Sequence, residues 1–294
     1  MSATTVAVLG LGVMGGGIAG RLLDSGVRVR VWNRTAQRGA ALEQRGAVHA
    51  RTPRAAAQGA DLILVSVADG AATEEVLLGP DGVLTAGPVD AVLASASTIA
   101  PRSLAVVRER TPRVLDLGLL GNGEHARTGA LRIYVGGSAE DLARVRGTLD
   151  LLAKEVLHVG GPGDGMRLKL LMNTLMGIQV QAMAEATALG ESAGLDRGVV
   201  LDAITAGGFA TPVMGYKARR LVSRRYGDPD FRLRLMTKDL ALAVAEAQSG
   251  SLGLPLVEAA LATHEEAVRR GDGDLDCAAI SRTVGGADEK GPGL

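Results

Sequence analysis

Residues 10–15 read Gly-Leu-Gly-Val-Met-Gly and follow directly on the apolar run Val6-Ala7-Val8-Leu9. Few patterns restrict a chain more. Gly10 permits a tight turn, Gly12 lets the backbone approach a pyrophosphate, and Gly15 allows a helix to pack closely on the strand. The N-terminus of that helix then stabilises the negative charge. The spacing alone is a weak signal, but between a buried strand and a helix it stands in the context that dinucleotide binding requires. Gly10, Gly12, Val13, Met14 and Gly15 are therefore the first expected cofactor contacts. The competing reading is a glycine-rich turn with no ligand.

The second strand, expected over residues 27–32, selects the dinucleotide. An NAD site usually ends this strand on a carboxylate that accepts hydrogen bonds from the ribose hydroxyls. Here it ends Trp32-Asn33-Arg34-Thr35. No acid is present to repel a 2′-phosphate, and the Arg34 guanidinium can grip one bidentately. Asn33 and Thr35 can add neutral donors, with Arg38 one helical turn later. The expected cofactor is NADP(H). The plain alternative is that Arg34 is a solvated surface arginine.

Further strands are expected at 61–67, 89–94 and 114–117, with helices over 15–25 and 35–45 that end on Gly26 and Gly46. Continuous apolar strands separated by helices predict a parallel sheet covered on both faces. Val67 and Ala68, at the end of the third of these strands, join the expected cofactor contacts. Near Gly160 the pattern changes. Residues 163–193 are apolar around most of a helical circumference, interrupted only by Gly177 and Gly190, which predicts a long, largely buried helix. Helical segments follow at 199–206, 211–223, 237–248 and 255–270, with no comparable strand. The fold class is α/β: an N-terminal Rossmann-type doubly wound sheet (1–162), then an all-helical domain (163–294) joined by a long interdomain helix (163–193). The Gly- and charge-rich tail from Gly285 is expected to be disordered.

A length of 294 residues suits two domains. Aromatic residues are 2% of the chain, so the core must be aliphatic. Formal net charge is zero, which removes the bulk attraction that a nucleic-acid or anionic-membrane binder would use. The uncharged stretch 170–184 is short for a membrane span and contains Asn173, Thr174, Gln179 and Gln181. Residues 1–5 carry no basic side chain and do not resemble a secretory signal. One cysteine, Cys277, cannot form an internal disulfide and reads as a small inert residue. These features suggest a cytoplasmic protein. His49, His125, His158 and His264 have no metal-ligand spacing, so no metal is expected.

Lys169 is the last charge before Glu185. A lysine at the edge of an apolar helix can be partly desolvated, which lowers its pKa toward the working range of a general acid. Asn173 follows at i+4, on the same face. The pair can hold one substrate oxygen between an ammonium and an amide. A lysine snorkelling to solvent is an equal reading from the residues alone.

Five elements in order resemble the β-hydroxyacid dehydrogenases, which include 3-hydroxyisobutyrate dehydrogenase and NADPH-using glyoxylate and succinic semialdehyde reductases. They are Gly10–Gly15 with Ala19, Ser97-Thr98 with Pro101, Gly163-x-Gly165-x-x-x-Lys169-x-x-x-Asn173, Phe231 with Lys238-Asp239-Leu240, and Asp274-x-Asp276 with Ala278-Ala279-Ile280. The resemblance spans nearly the whole chain. It implies that Lys169 is the proton donor in reduction and the base partner in oxidation, and that Asn173 orients the substrate. It places Thr98 beside the nicotinamide and Lys238 near the nicotinamide ribose and the substrate. It also implies a homodimer or homotetramer formed through the helical domain.

One element departs from that family. Its Asp-x-Pro-Val-Ser-Gly-Gly segment, whose Ser-Gly-Gly holds a substrate carboxylate, is here Asp116-Leu117-Gly118-Leu119-Leu120-Gly121-Asn122. Leu120, Gly121 and Asn122 are thus the expected substrate contacts beside Lys169 and Asn173, with Leu120 in place of the serine. His125 and Glu124 fall in the same loop and read as solvent-exposed. The leading function is hydride transfer between NADPH and a small aldehyde, ketone or β-hydroxy acid-like compound. Imine reduction on the same fold and an NADP-binding regulator without turnover remain as alternatives.

Overall fold

The computed structural model describes residues 4–284; the tail from Gly285 lies outside them. The strands and helices alternate through the first half. They are β1 (Thr5–Leu9), α1 (Val13–Asp24), β2 (Arg28–Trp32), α2 (Ala40–Glu43), β3 (Val48–His49), α3 (Pro53–Ala57), β4 (Leu62–Val65), α4 (Gly70–Leu78), β5 (Val92–Ser95), α5 (Ala105–Arg110), β6 (Val114–Leu120), α6 (Gly123–Thr128), β7 (Leu131–Gly136), α7 (Ala139–Asp150) and β8 (Ala153–Gly160). Six helices complete the described chain: α8 (Asp164–Ser192), α9 (Arg197–Ala206), α10 (Pro212–Ser223), α11 (Leu233–Ser249), α12 (Pro255–Arg269) and α13 (Ser281–Val284).

The strands form one sheet in the order β3-β2-β1-β4-β5-β6-β7-β8. Strand order reverses between β1 and β4, and the crevice outside their carboxyl ends is where doubly wound sheets take ligands. Both faces are apolar. In β1, Val6 and Val8 enter the core on one face, while Ala7 and Leu9 enter the core on the other.

All pairs are parallel except β6 with β7. The expected parallel, doubly wound sheet is present, with one antiparallel pair added. A parallel crossover needs a dozen or more residues, and the short α6 stopped by left-handed Gly129 (φ +71°) reverses the chain instead. The strands β7 and β8 were absent from the sequence reading because each is half exposed. Arg132 and Tyr134 in β7, and Lys154, Glu155 and His158 in β8, interrupt their apolar runs. The helix expected over 35–45 is instead a 3-10 turn, Ala36–Gly39, followed by the four residues of α2.

The chain divides into two compact units, 1–169 and 170–294, so the division falls inside α8 rather than before it. At 29 residues, α8 runs about 44 Å. Gly177 and Gly190 do not interrupt it. A Cβ on Gly177 would lie 3.0 Å from Met236 Sδ, and one on Gly190 would lie 2.6 Å from a Val200 methyl. Both glycines are contact points where α11 and α9 approach. No helix among the described residues is long and apolar enough to cross a membrane.

The helical unit is organised by a buried ion pair. Lys217 is 1% exposed and Asp276 0%. The ammonium donates to both carboxylate oxygens at 2.7 Å. The same carboxylate accepts from the backbone N–H of Asp230 and Ala278, each at 3.0 Å. Every lone pair that burial removes from water is thereby answered, which a buried charge requires. Cys277, beside it, is fully buried, and burial pushes its thiol up to about 12. Replacing Lys217 with Met would leave the buried carboxylate with only the more distant Arg220, at 3.6 Å, as counter-charge. Urea unfolding of the Lys217→Met protein is expected to show a loss of about 3–5 kcal/mol; a change below 1 kcal/mol would show that the pair is not what holds this unit together.

Candidate functional site

The glycine turn after β1 has a different constraint at each position. Gly10 adopts φ +98°, and a Cβ there would stand 2.2 Å from Ser66 O. A Cβ on Gly15 would stand 2.0 Å from Gly10 O, so α1 rests on the turn itself. A Cβ on Gly12 would meet nothing within 4 Å. Two of the glycines are thus forced by the protein's own packing, whereas Gly12 fronts open space. Gly12 is also the N-cap of α1, which has no side-chain cap and no acidic residue in its first turn. Its amides and positive end are left for an anion, as a pyrophosphate requires. Val13 is exposed and Met14 half-buried.

Asn33, an expected cofactor contact, sits between the glycine turn and the end of β2. Its Oδ1 accepts from Leu11 N at 2.9 Å, and its Nδ2 donates to Thr35 O at 2.9 Å. The side chain ties the glycine turn to the end of β2 and has both ends engaged within the protein. Arg34, Thr35 and Arg38 are exposed beyond β2. At the neighbouring strand ends, Val67 N donates to Ser97 Oγ at 2.9 Å. Buried Ser97 therefore fixes the loop carrying Val67 and Ala68 to the loop carrying Thr98; no role had been expected for its hydroxyl.

The segment after β6 lies beside the glycine turn. A Cβ on Gly123 would be 2.5 Å from a Val13 methyl, and one on Gly17 would be 2.9 Å from the Ala126 Cβ. The start of α6 is therefore pressed onto the start of α1. Asn122 caps α6, its Oδ1 accepting from Glu124 N and His125 N at 3.1 Å. In return, Asn122 N donates to His125 Nδ1 at 3.1 Å. Gly121, with φ +134°, makes the bend between strand and cap. Glu124 and His125 are exposed, as expected.

Asp116, Gly118 and Leu120 alternate along β6 and share one of its faces. The opposite face carries Leu115, Leu117 and Leu119 into the core. The first turn of α8 lies on the former face. A Cβ on Gly118 would be 2.4 Å from Gly165 O and 3.2 Å from the Lys169 Cβ. Lys169 therefore stands over β6, two positions before Leu120. Arg132, paired across the strands with Leu120, shares that face and forms an ion pair with Glu155 at 3.3 Å; it was not among the expected residues.

Asn173 lies one turn beyond Lys169 on α8 and is buried. Its Nδ2 donates to Asp239 Oδ2. The other oxygen of Asp239 accepts from Lys238 Nζ at 2.7 Å. Asp239 is thus the element that links Asn173 with Lys238 in the helical unit, and it fixes the Asn173 amide by holding its nitrogen. The remaining histidines have structural partners. His49 meets Glu43 at 3.0 Å, and His158 Nε2 meets Gly137 O at 2.8 Å. His264 Nδ1 meets Ala260 O at 2.9 Å, and burial holds its pKa below the usual imidazole value. Among the described residues, no three His, Cys, Asp or Glu side chains are grouped to hold a metal.

Two family models match in tandem. The NAD-binding domain of 6-phosphogluconate dehydrogenase covers residues 5–160, and the NAD-binding domain of NADP-dependent 3-hydroxyisobutyrate dehydrogenase covers residues 163–284. A 3-hydroxyisobutyrate dehydrogenase from Pseudomonas aeruginosa is 34% identical, over 97% of this chain and 100% of its own. The crystal structure of 3-hydroxyisobutyrate dehydrogenase from Salmonella typhimurium superposes with TM-score 0.86 at 27% identity, covering 95% of this chain and 99% of that one. Psf3 in complex with NADP+ and 2-OPP superposes with TM-score 0.85 at 26% identity and the same coverage. Matched along both units, the chain belongs to the β-hydroxyacid dehydrogenase family of NAD(P)-dependent oxidoreductases.

Proposed function

We propose that the protein is an NADPH-dependent oxidoreductase that moves a hydride to or from a small carbonyl or hydroxy compound, with Lys169 as general acid and base. The observation that carries this reading is the seating of Lys169 over β6, in the unit that holds the open Gly12 turn. The open space at Gly12 and the uncapped start of α1 suit a pyrophosphate, so these residues fit the cofactor. When bound, the nicotinamide supplies or accepts the hydride. The chain's own part is to handle the proton. In reduction the Lys169 ammonium donates a proton to the carbonyl oxygen as negative charge develops there; the neutral amine then regains a proton from solvent. In oxidation the same amine takes the hydroxyl proton. Asn173, its amide nitrogen held by Asp239, offers its carbonyl oxygen to orient a substrate hydroxyl.

The NADP-linked 3-hydroxyisobutyrate dehydrogenase model and the Psf3 complex with NADP+ support the cofactor assignment. The exposed position of Arg34, next to an Asn33 with both ends engaged, supports the guanidinium as the 2′-phosphate contact. The same reading takes the protein as a homodimer or homotetramer. Leu171, Leu175 and Leu189 form an exposed apolar stripe along the second unit's part of α8, which a second copy of the chain would cover.

NADPH is expected to bind at least about tenfold more tightly than NADH, since a charge-assisted hydrogen bond contributes about 1.5–3 kcal/mol. Arg34→Ala should remove most of that difference in a fluorescence titration, and equal wild-type affinities would refute the assignment. The Lys169→Ala protein should lose about 10²–10⁴-fold in kcat while binding NADPH nearly normally, measured across a panel of aldehydes, keto acids and cyclic imines. Wild-type kcat in that protein would mean that the proton comes from another group.

Leu120 bears on the substrate class. It shares the face of β6 that carries Lys169, and the N–H of Asn122 is committed to His125. A carboxylate placed there would exchange water for an isobutyl group, at a cost of order 1–3 kcal/mol or more. An apolar or aromatic substrate group is therefore expected to face Leu120. Comparing kcat/KM for a keto acid and its methyl ester tests this. The ester should be turned over at least as well, and a tenfold advantage for the free acid would reverse the conclusion.

A further inference from the structure

The first turn of α8 borrows its cap from a strand. Asp116 on β6 is 1% exposed. Its Oδ1 accepts from Gly163 N at 2.6 Å and its Oδ2 from Met166 N at 2.9 Å. The third group on the carboxylate is Arg108, whose Nη2 lies 3.2 Å from Oδ1. Burial lowers the Arg108 pKa and Asp116 raises it. Three glycines allow the approach. A Cβ on Gly118 would be 2.4 Å from Gly165 O, one on Gly136 would be 2.6 Å from Gly165 N, and one on Gly165 would be 2.6 Å from Asp116 O. A full negative charge is thus buried at the positive end of a 29-residue helix.

Lys169 lies five residues past Asp164, about 8 Å along the helix axis. The positive helix terminus disfavours an ammonium at that distance, and a carboxylate fixed at the same terminus favours it. Other charged groups on the elements around this turn include Arg108, Glu109 and Arg110 on α5 and the Asp164–Arg167 pair of α8, which bond each other at 2.8 Å. Arg132 on β7 is paired with Glu155. Asp116 is the charge that the packing seals against the helix start. We infer that Asp116 is a positioning residue for the reaction: it clamps the start of α8 onto β6 and, through its charge, sets the proton affinity of Lys169. The inference rests on Lys169 acting as the proton donor and adds what holds that lysine in a protonated, ready state.

Trace labelling with acetic anhydride across a pH series tests this without a substrate. The chain has five lysines, and exposed Lys154 serves as the internal reference for Lys169 once peptides are resolved by mass spectrometry. In Asp116→Asn the apparent pKa of Lys169 should fall by about one unit, the order of effect that removing one nearby charge produces at protein-like screening, while the reference stays in place. The kcat for the best carbonyl compound should fall about tenfold, with the Kd for NADPH within twofold. In Arg108→Gln the Lys169 value should move upward instead; if Asp116→Asn does not fold by circular dichroism, this variant carries the test. A Lys169 value unmoved in the variants that fold overturns the inference. Retained kcat in Lys169→Ala, with the labelling shifts present, would instead remove the proton-donor reading and leave the electrostatic coupling standing.

Discussion

Close backbone approach at three glycines is the constraint on which the candidate site depends. With Gly118, Gly136 and Gly165 stripped of side chains, the first turn of α8 can rest on the bare face of β6 and β7. A single methyl at any of these positions would push the helix off by an ångström or more. The consequence runs along the helix. The height of Lys169 above β6 follows from the absence of a side chain on Gly118 below it. The carboxylate of Asp116 then locks the turn in register by bonding two orphan amides three residues apart, those of Gly163 and Met166. Steric clearance sets the distance, and the charged cap sets the rotation.

Much of this was legible in the sequence. The turn at Gly10–Gly15 was readable from its spacing after an apolar strand, and the structure separates its glycines: Gly10 and Gly15 are forced by packing, whereas Gly12 fronts open space. The long helix was legible from its apolar circumference, but the contacts its glycines make were not, because a residue that permits contact looks the same in sequence as one that permits a bend. Asp116 was visible only as a letter in a familiar segment. Its partners lie 47 and 50 residues away, and no local pattern announces a cap donated by a distant strand.

The half-exposed strands were hidden for a related reason. Alternation is the signal for a strand with one buried face, and Arg132 and Tyr134 in β7 do alternate with Leu131, Ile133 and Val135. The run is too short and too mixed to stand out beside the fully apolar β4. The direction of β7 follows from the length of the connection before it, which is a fact about α6 and Gly129 rather than about the strand. Likewise the buried Lys217–Asp276 pair was not readable as a pair, since its members are 59 residues apart. The acidic pattern at Asp274-x-Asp276 contained one half of it, and the other half is a lysine in an otherwise ordinary amphipathic helix.

Asn33 has a wider consequence. Its amide fastens the phosphate-side turn to the end of the second strand through bonds at both ends, so position 33 is occupied by architecture. The next residue points outward and bears no such duty. If Arg34 is the 2′-phosphate contact proposed above, the framework and the selector are neighbours within one short loop, with separate tasks. A lineage carrying that arrangement could exchange the residue at 34 and change which nucleotide it draws from the cell, while the turn tied down by Asn33 stays as it was. Redox partner choice would in that sense be modular, open to drift or engineering on a timescale independent of the fold.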